Sequence, residues 1–439
     1  MSPVMHKRST AFAITTLFAI NVLNFYDRHV AGALTEPMRK EFHLTDTQVG
    51  LLGSAFIWLY AIIGVPLGRI ADVWSRKRLL AMGVFIWSAL TASTFFVGSY
   101  ATLLLTRLGV GVGEATCAPS GTSWLGDVVP APRRARALAL FMLGVPLGAG
   151  LSFLFGGPIA QAYGWRVAMA LAAAPAMLLI PALLMLDEPE RGASEQRAEA
   201  APAGSMWTVL RIPTLWWIIA SGALVNFNTY ALSQFLPALF SRIHGLEVGP
   251  AGIATGILYI AGGVTGGLCA GWIGDRMMRR RKDGRMFAAA WISLIGAPFG
   301  YFGAMQPHGA LILSAVLWGI FFATLNSYYG MVYASIQDIV APARRASTMA
   351  IYFMGMYLCG ASFGPLLTGR VSDLMARRAA DAAGSGVINE AARAIGLQQA
   401  MLLIPAFAVL LAFVLLMGSR TIGKDLARRE ASAALATAA

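Results

Sequence analysis

Long apolar runs separated by short polar turns set the pattern of this chain. They fall near residues 11–35, 49–71, 79–99, 101–126, 136–161, 166–186, 213–240, 250–274, 285–305, 309–337, 346–371 and 398–418. An α-helix needs about 20 mostly apolar residues to cross the hydrocarbon core of a bilayer. The pattern therefore predicts twelve transmembrane helices. A membrane β-barrel would show short alternating segments instead. The expected fold class is an all-α integral membrane protein. Residues 1–10 form a short basic lead into a helix too long for a signal-peptide core, so that helix is expected to stay as the first span.

Composition agrees with this reading and charge orients it. The chain is 57% hydrophobic and 13% charged, unlike a soluble globular protein. The net charge of +13 could suggest nucleic acid, but its placement does not. With the N-terminus inside and twelve crossings, 24 of the 34 Lys and Arg lie in cytoplasmic segments and 8 in outer ones. The positive-inside rule accounts for that bias and puts both termini in the cytoplasm. No nucleic-acid partner is expected. Cys117, Cys269 and Cys359 lie in apolar helices without metal or disulfide spacing. No metal-binding H-E-x-x-H and no nucleotide loop occurs, which argues against a membrane enzyme or an ATP-driven pump. High Gly and Ala content, short loops and the lack of an outer N-x-[ST] sequon point to a bacterial inner membrane.

The chain repeats itself. GDVVPAPRRARALALFMLGV (126–145) is echoed by QDIVAPARRASTMAIYFMGM (337–356), with Asp127 aligned to Asp338. GRIADVWSRKR (68–78) is echoed by GWIGDRMMRRR (271–281), with Gly68 on Gly271 and Asp72 on Asp275. Both echoes lie on cytoplasmic ends, so the halves repeat in parallel. The expected organisation is a six-helix half over 1–186, a polar cytoplasmic linker over 187–212 and a second six-helix half with a tail over 213–439. Parallel six-helix repeats are a transporter architecture, and they argue against a channel or a receptor.

Polar residues inside the apolar runs are the candidate machinery. A charge at membrane depth costs at least about 2.5–3.5 kcal/mol, yet Asp27 and Arg28 sit side by side in helix 1, and helix 4 carries Arg107 and Glu114. At 1.5 Å per residue, Asp27 lies roughly 12 Å and Arg107 roughly 9 Å below the outer edge. Arg107 and Glu114 are two turns apart and share a face. Burial raises a carboxylate's pKa and a neighbouring arginine lowers it, so such a group can gain or lose a proton as its partners rearrange. Asp27 and Glu114 are the proton-coupling candidates. Arg28 and Arg107, with Asn24, are candidates for an anionic substrate, because the guanidinium fork suits phosphate or carboxylate oxygens. The second half offers Asn226, Asn228, Tyr230 and Gln234 on helix 7, Asn326, Tyr329 and Tyr333 on helix 10, and Tyr352 and Tyr357 on helix 11.

The motifs resemble the major facilitator superfamily over about residues 10–420. Gly68-x-x-x-Asp72 followed by Arg76-Lys77-Arg78 matches its loop 2–3 signature, with Gly271-x-x-x-Asp275 as a weaker copy and without the usual glycine before the basic cluster. Arg107 to Glu114 resembles the helix 4 signature, and Gly144, Gly148, Gly156, Gly157 and Pro158 the helix 5 pattern. Asn21, Asn24, Asp27 and Arg28, with Arg107 and Glu114, resemble the spinster branch more narrowly. The resemblance implies alternating access around a central cavity lined by helices 1 and 4. It also implies a conformational latch built from Gly68, Asp72, Arg76, Gly271 and Asp275, with a neighbouring helix close against the glycines. The spinster branch implies a lysolipid or sphingoid phosphate as substrate; a small organic anion such as a sugar acid is the competing expectation. No cofactor is expected beyond a proton gradient, and the protein is expected to act as a monomer in the bilayer.

Overall fold

The computed structural model describes residues 7–129, 131–190, 206–340, 344–384 and 386–438, and among these no strand occurs. Most of the expected linker, residues 191–205, and the side chain of Arg134 lie outside the described residues. The chain forms two compact units, residues 1–199 with 246–260, and residues 200–245 with 261–439.

The first unit holds α1 (Lys7–Ala33), α2 (Thr35–Phe42), α3 (Asp46–Val73), α4 (Arg76–Ser93), α5 (Tyr100–Glu114), α6 (Cys117–Val128), α7 (Ala131–Tyr163) and α8 (Trp165–Leu184). The second holds α9 (Pro213–His244), most of α10 (Val248–Met278), α11 (Gly284–Ala304), α12 (Leu311–Ile339), α13 (Arg345–Met356), α14 (Phe363–Ala382), α15 (Glu390–Ala400) and α16 (Leu403–Ala438). Local signals set the ends. Thr45 and Gln48 form a capping box on α3, and Ser99 and Thr102 one on α5. Pro213 opens α9, and Gly245, at φ 70°, closes it in the left-handed region.

Nine of the described helices or helix pairs are long and apolar enough to cross a membrane. The other three expected spans are α1, the α5–α6 pair and α9. They carry Asp27 and Arg28, Arg107 and Glu114, and Asn226 and Asn228. Polar function and weak hydropathy thus fall on the same helices. Exposure is inverted relative to a soluble protein: Leu178 is 76% and Ile312 79% exposed, while Trp87, Trp124 and Trp318 are fully buried. Large exposed apolar side chains are expected where the solvent is lipid.

Two expected spans are interrupted, each just before a proline. Helix 4 breaks between Glu114 and Cys117, and Pro119 four residues past Ala115 cannot donate to its carbonyl. Helix 11 widens into a π-turn over Tyr357–Ala361, and Pro365 stands four residues past Ala361.

Glycines let helices touch backbone to backbone. A Cβ on Gly148 would lie 2.2 Å from the Val22 carbonyl, and one on Gly144 2.8 Å from the Asn21 amide nitrogen, so α7 lies directly along α1. A Cβ on Gly157 would lie 2.6 Å from the Val248 carbonyl, and one on Gly256 2.7 Å from the Gly150 carbonyl. This second seam holds the start of α10 against α7. It is why residues 246–260 belong with the first unit although the sequence places them in the second half.

The basic ends of both units are tied by ion pairs. In the first, Arg76 is buried and bonds Asp127 at the end of α6. Glu188 accepts from the Ser75 hydroxyl at 2.5 Å, the Arg76 N–H at 2.7 Å and the Lys77 N–H at 3.4 Å, capping α4. The second unit repeats the motif: Arg285 at the start of α11 bonds Asp338 at the end of α12 at 2.6 Å. The repeat at Asp127 and Asp338 is therefore structural. Partial burial pushes the Glu188 carboxyl up, but its hydrogen bonds outweigh that and leave it below the usual carboxylate range.

Three substitutions test this packing and capping. Gly148→Leu should separate α7 from α1 and lower the melting temperature of the detergent-solubilised protein by several degrees or more. Gly68→Ala, with nothing within 4 Å of the added carbon, should leave it nearly unchanged. Glu188→Gln should lower the melting temperature at pH 7, on the order of 1–3 kcal/mol for a lost charged partner. A folded pKa below the unfolded one stabilises above the unfolded value and is lost as pH falls through the folded one. The gap between wild type and Glu188→Gln should therefore persist to pH 5 and close only below about pH 4. A pH-independent gap would show that the carboxylate's charge is not the source.

Candidate functional site

The α1–α7 and α3–α5 contacts place the first cluster. A Cβ on Gly111 would lie 2.8 Å from the Phe56 carbonyl, so α5 sits close on α3 and carries Arg107 and Glu114 inward. On α1, Asn24, Asp27 and Arg28 lie within little more than one turn, so they share one region of the helix. Asn24, Asp27, Arg28, Arg107 and Glu114 are all buried, Glu114 fully.

Arg28 Nε donates to Glu114 Oε2 at 2.9 Å, and its Nη2 to Asn24 Oδ1 at 3.3 Å. The same guanidinium lies over the rings of Phe25 at 4.5 Å, Tyr60 at 4.4 Å and Phe56 at 5.4 Å. Arg107 Nη2 donates to the Arg28 carbonyl at 3.3 Å and its guanidinium stands 5.2 Å from Phe56. Asp27 Oδ2 accepts from the Thr91 hydroxyl of α4 at 2.7 Å. The four expected charges do come together: the ion pair is Arg28 to Glu114, and Asp27 accepts from a threonine. Five buried atoms here lack a hydrogen-bond partner among the described residues: Asn24 Nδ2, Asp27 Oδ1, Glu114 Oε1, and Arg107 Nε and Nη1. The cluster thus keeps both spare donors and spare acceptors.

Thr91 and the aromatic faces around Arg28 are not apparent from sequence spacing. Their contacts depend on how each helix is rotated. The nearest legible signal is that Thr91, with Ser88 and Ser93, is one of three hydroxyls in the apolar stretch of α4. His29 bonds the Phe25 carbonyl at 2.9 Å and packs beside Phe25 and Phe153, as an ordinary buried histidine would.

The second unit holds a separate cluster of hydroxyls and rings. Tyr329 donates to Asn226 Oδ1 at 3.4 Å, and the Asn226 amide also meets Met356 Sδ at 3.3 Å. Tyr230 meets Tyr357 edge to face at 6.3 Å. Ser221, Tyr328 and Tyr352 form a buried hydroxyl chain with links of 2.8 and 3.2 Å. Tyr333 packs edge-on against Tyr329 and Tyr352. Asn326 does not join them: its amide donates to the Phe322 carbonyl of its own helix at 3.1 Å.

The latch residues are dispersed. Nothing lies within 4 Å of a Cβ at Gly68 or Gly271, so the expected close approach of a helix is not made here. Asp72 and Asp275 are exposed, Asp275 with Arg285 at 3.5 Å. Arg76 does not face Asp72; it is spent on Asp127 and Glu188.

Residues 17–365 match the Major Facilitator Superfamily. The chain is 29% identical to an "MFS-type efflux pump" of Mycolicibacterium smegmatis, over 82% of this chain and 84% of that protein. It is 27% identical to "Protein spinster homolog 1" of Xenopus tropicalis, over 85% and 74%. A solved structure of a bacterial homolog to the human lysosomal transporter Spinster, inward-facing and unoccupied, superposes with a TM-score of 0.86 at 27% identity, covering 96% of this chain and 99% of that one. These proteins are transporters, not enzymes. The chain belongs to the Major Facilitator Superfamily, as a transporter of spinster type.

Proposed function

We propose that this chain is a proton-coupled secondary transporter that works by alternating access and moves an amphipathic anionic lipid of lysolipid or sphingoid phosphate type. The observation that carries the reading is the buried Arg28–Glu114 pair beside Arg107, whose Nε and Nη1 hold no partner among the described residues. Arg107 is the receptor for the anionic head, since its Nε–H and Nη1–H groups can each donate a charge-assisted hydrogen bond to a phosphate or carboxylate oxygen. Arg28 is neutralised by Glu114 until that acid takes a proton. Protonation of Glu114 frees Arg28 for the head, and this exchange couples the proton to the substrate. Asp27 is the second acid of the cycle.

Within the second unit, the ring cluster of Tyr230, Asn226 and Tyr329 has apolar faces with polar edges, a surface suited to amphipathic molecules. Asn24 orients Arg28. Gly68, Asp72 and Gly271, with open surroundings, and Asp275, paired with Arg285, serve contacts that change during the cycle. The charge bias supports cytoplasmic termini, and the Gly and Ala richness, short loops and lack of an outer sequon support a bacterial inner-membrane location. A proton-coupled symporter of a small organic anion such as a sugar acid uses the same arginines, and the lipid tail separates the two readings.

Glu114→Gln and Asp27→Asn should each leave the protein folded and abolish the response of uptake to an imposed pH gradient in proteoliposomes. Normal accumulation by both variants would refute proton coupling. Arg107→Ala should weaken binding of the anionic head roughly 10- to 100-fold, the range for a lost hydrogen bond to a charged group. Across a homologous series with one phosphate head, affinity should rise by up to about fourfold per buried methylene. A flat series, with saturable uptake of a tail-less anion, would leave the organic-anion reading standing.

A further inference from the structure

The basic end of α10 carries chemistry that the transport site does not use. Thr265, Leu268, Trp272 and Arg276 recur at spacings of three and four, so they lie on one face. All four are exposed, Leu268 to 72% and Trp272 to 70%. Arg276 sits over the Trp272 ring at 6.0 Å. The helix ends at Met278, and the turn that follows presents exposed Arg279 and Arg280, their N–H groups closing back on Asp275 and Met277.

The nearby acids are already engaged. Asp283 takes both ends of the Arg281 fork at 3.0 Å, and Arg281 also covers the Phe287 ring at 4.0 Å. Asp275 and Asp338 both face Arg285. Among the described residues no carboxylate pairs with Arg276, Arg279 or Arg280. One stripe therefore passes from an apolar side chain, through an indole, to three guanidiniums without counter-charges. Tryptophan in membrane helices settles at headgroup level, and arginines just beyond that level meet lipid phosphates.

We propose that Leu268, Trp272, Arg276, Arg279 and Arg280 form a docking surface for an anionic phospholipid of the surrounding bilayer. An acyl chain lies along Leu268, the Trp272 ring sits at the glycerol level, and the three guanidiniums hold the phosphate. The surface is separate from the Arg28–Glu114 site and needs no particular transported substrate.

The test is native mass spectrometry of the full chain, titrated with phosphatidylglycerol or phosphatidylcholine. Wild type should prefer phosphatidylglycerol. Arg276→Gln/Arg280→Gln should weaken phosphatidylglycerol binding about 30-fold, on the scale of two juxtamembrane basic residues at an anionic surface, and weaken phosphatidylcholine binding much less. Arg276→Lys/Arg280→Lys should keep most of the preference. Arg420→Gln/Lys424→Gln removes the same charge from α16 and should change nothing. The proposal is overturned if the first variant keeps the full preference, if the α16 variant loses it equally, or if millimolar inorganic phosphate displaces the lipid.

Discussion

Charge buried among hydrocarbon has to find its complement inside the protein, and everything near the first cluster is arranged around that need. The 2.9 Å contact between Arg28 and Glu114 cancels one charge with another where water is excluded. Removing one member of such a pair leaves the other uncompensated, at a cost of about 3–5 kcal/mol. Three aromatic faces and the Asn24 carbonyl share the same guanidinium. Gly111 lets α5 lie close on α3, and Gly144 and Gly148 let α7 lie close on α1, which fixes where the charged residues of α1 and α5 stand. The glycine pattern and the charges are thus parts of one constraint.

That constraint explains what could be read from the amino acids. The charged residues stand out because hydrocarbon tolerates so few of them, and Arg107 and Glu114 share a face by spacing alone. Their pairing was not legible. Whether Asp27 meets an arginine or Thr91 depends on the rotation of α1 against α4, and no periodicity records a rotation. The helix 5 glycines were legible as a pattern, but not their partners. Gly249, Gly252 and Gly256 on α10 complete the seam with Gly150 and Gly157, and they carry residues 246–260 into the first unit. The prolines at 119 and 365 were visible throughout as residues lacking an N–H, and the breaks fall where that lack is felt.

The loop signatures behave differently in the two roles expected of them. Gly68 and Asp72 stand open, whereas Arg76 is buried in fixed ion pairs. One short motif therefore contains both a permanent joint and residues with no fixed contact. The second unit repeats the joint with Arg285 and Asp338, which is the deepest trace of the internal repeat at the level of side chains.

Helix α4 joins the two kinds of site in a single rigid piece. Its first residue, Arg76, is clamped by Asp127 and Glu188, and Thr91 near its other end holds Asp27. The two anchor points are about 22 Å apart along an unbroken helix, and a helix does not stretch. α4 is therefore a strut of fixed length pinned at both ends. It cannot slide along its axis by even a fraction of a turn while both pins hold. Relative motion of α1 against the basic end of this unit has to proceed by pivoting about one pin, or by releasing a threonine hydroxyl that costs far less to part with than the ion pairs opposite.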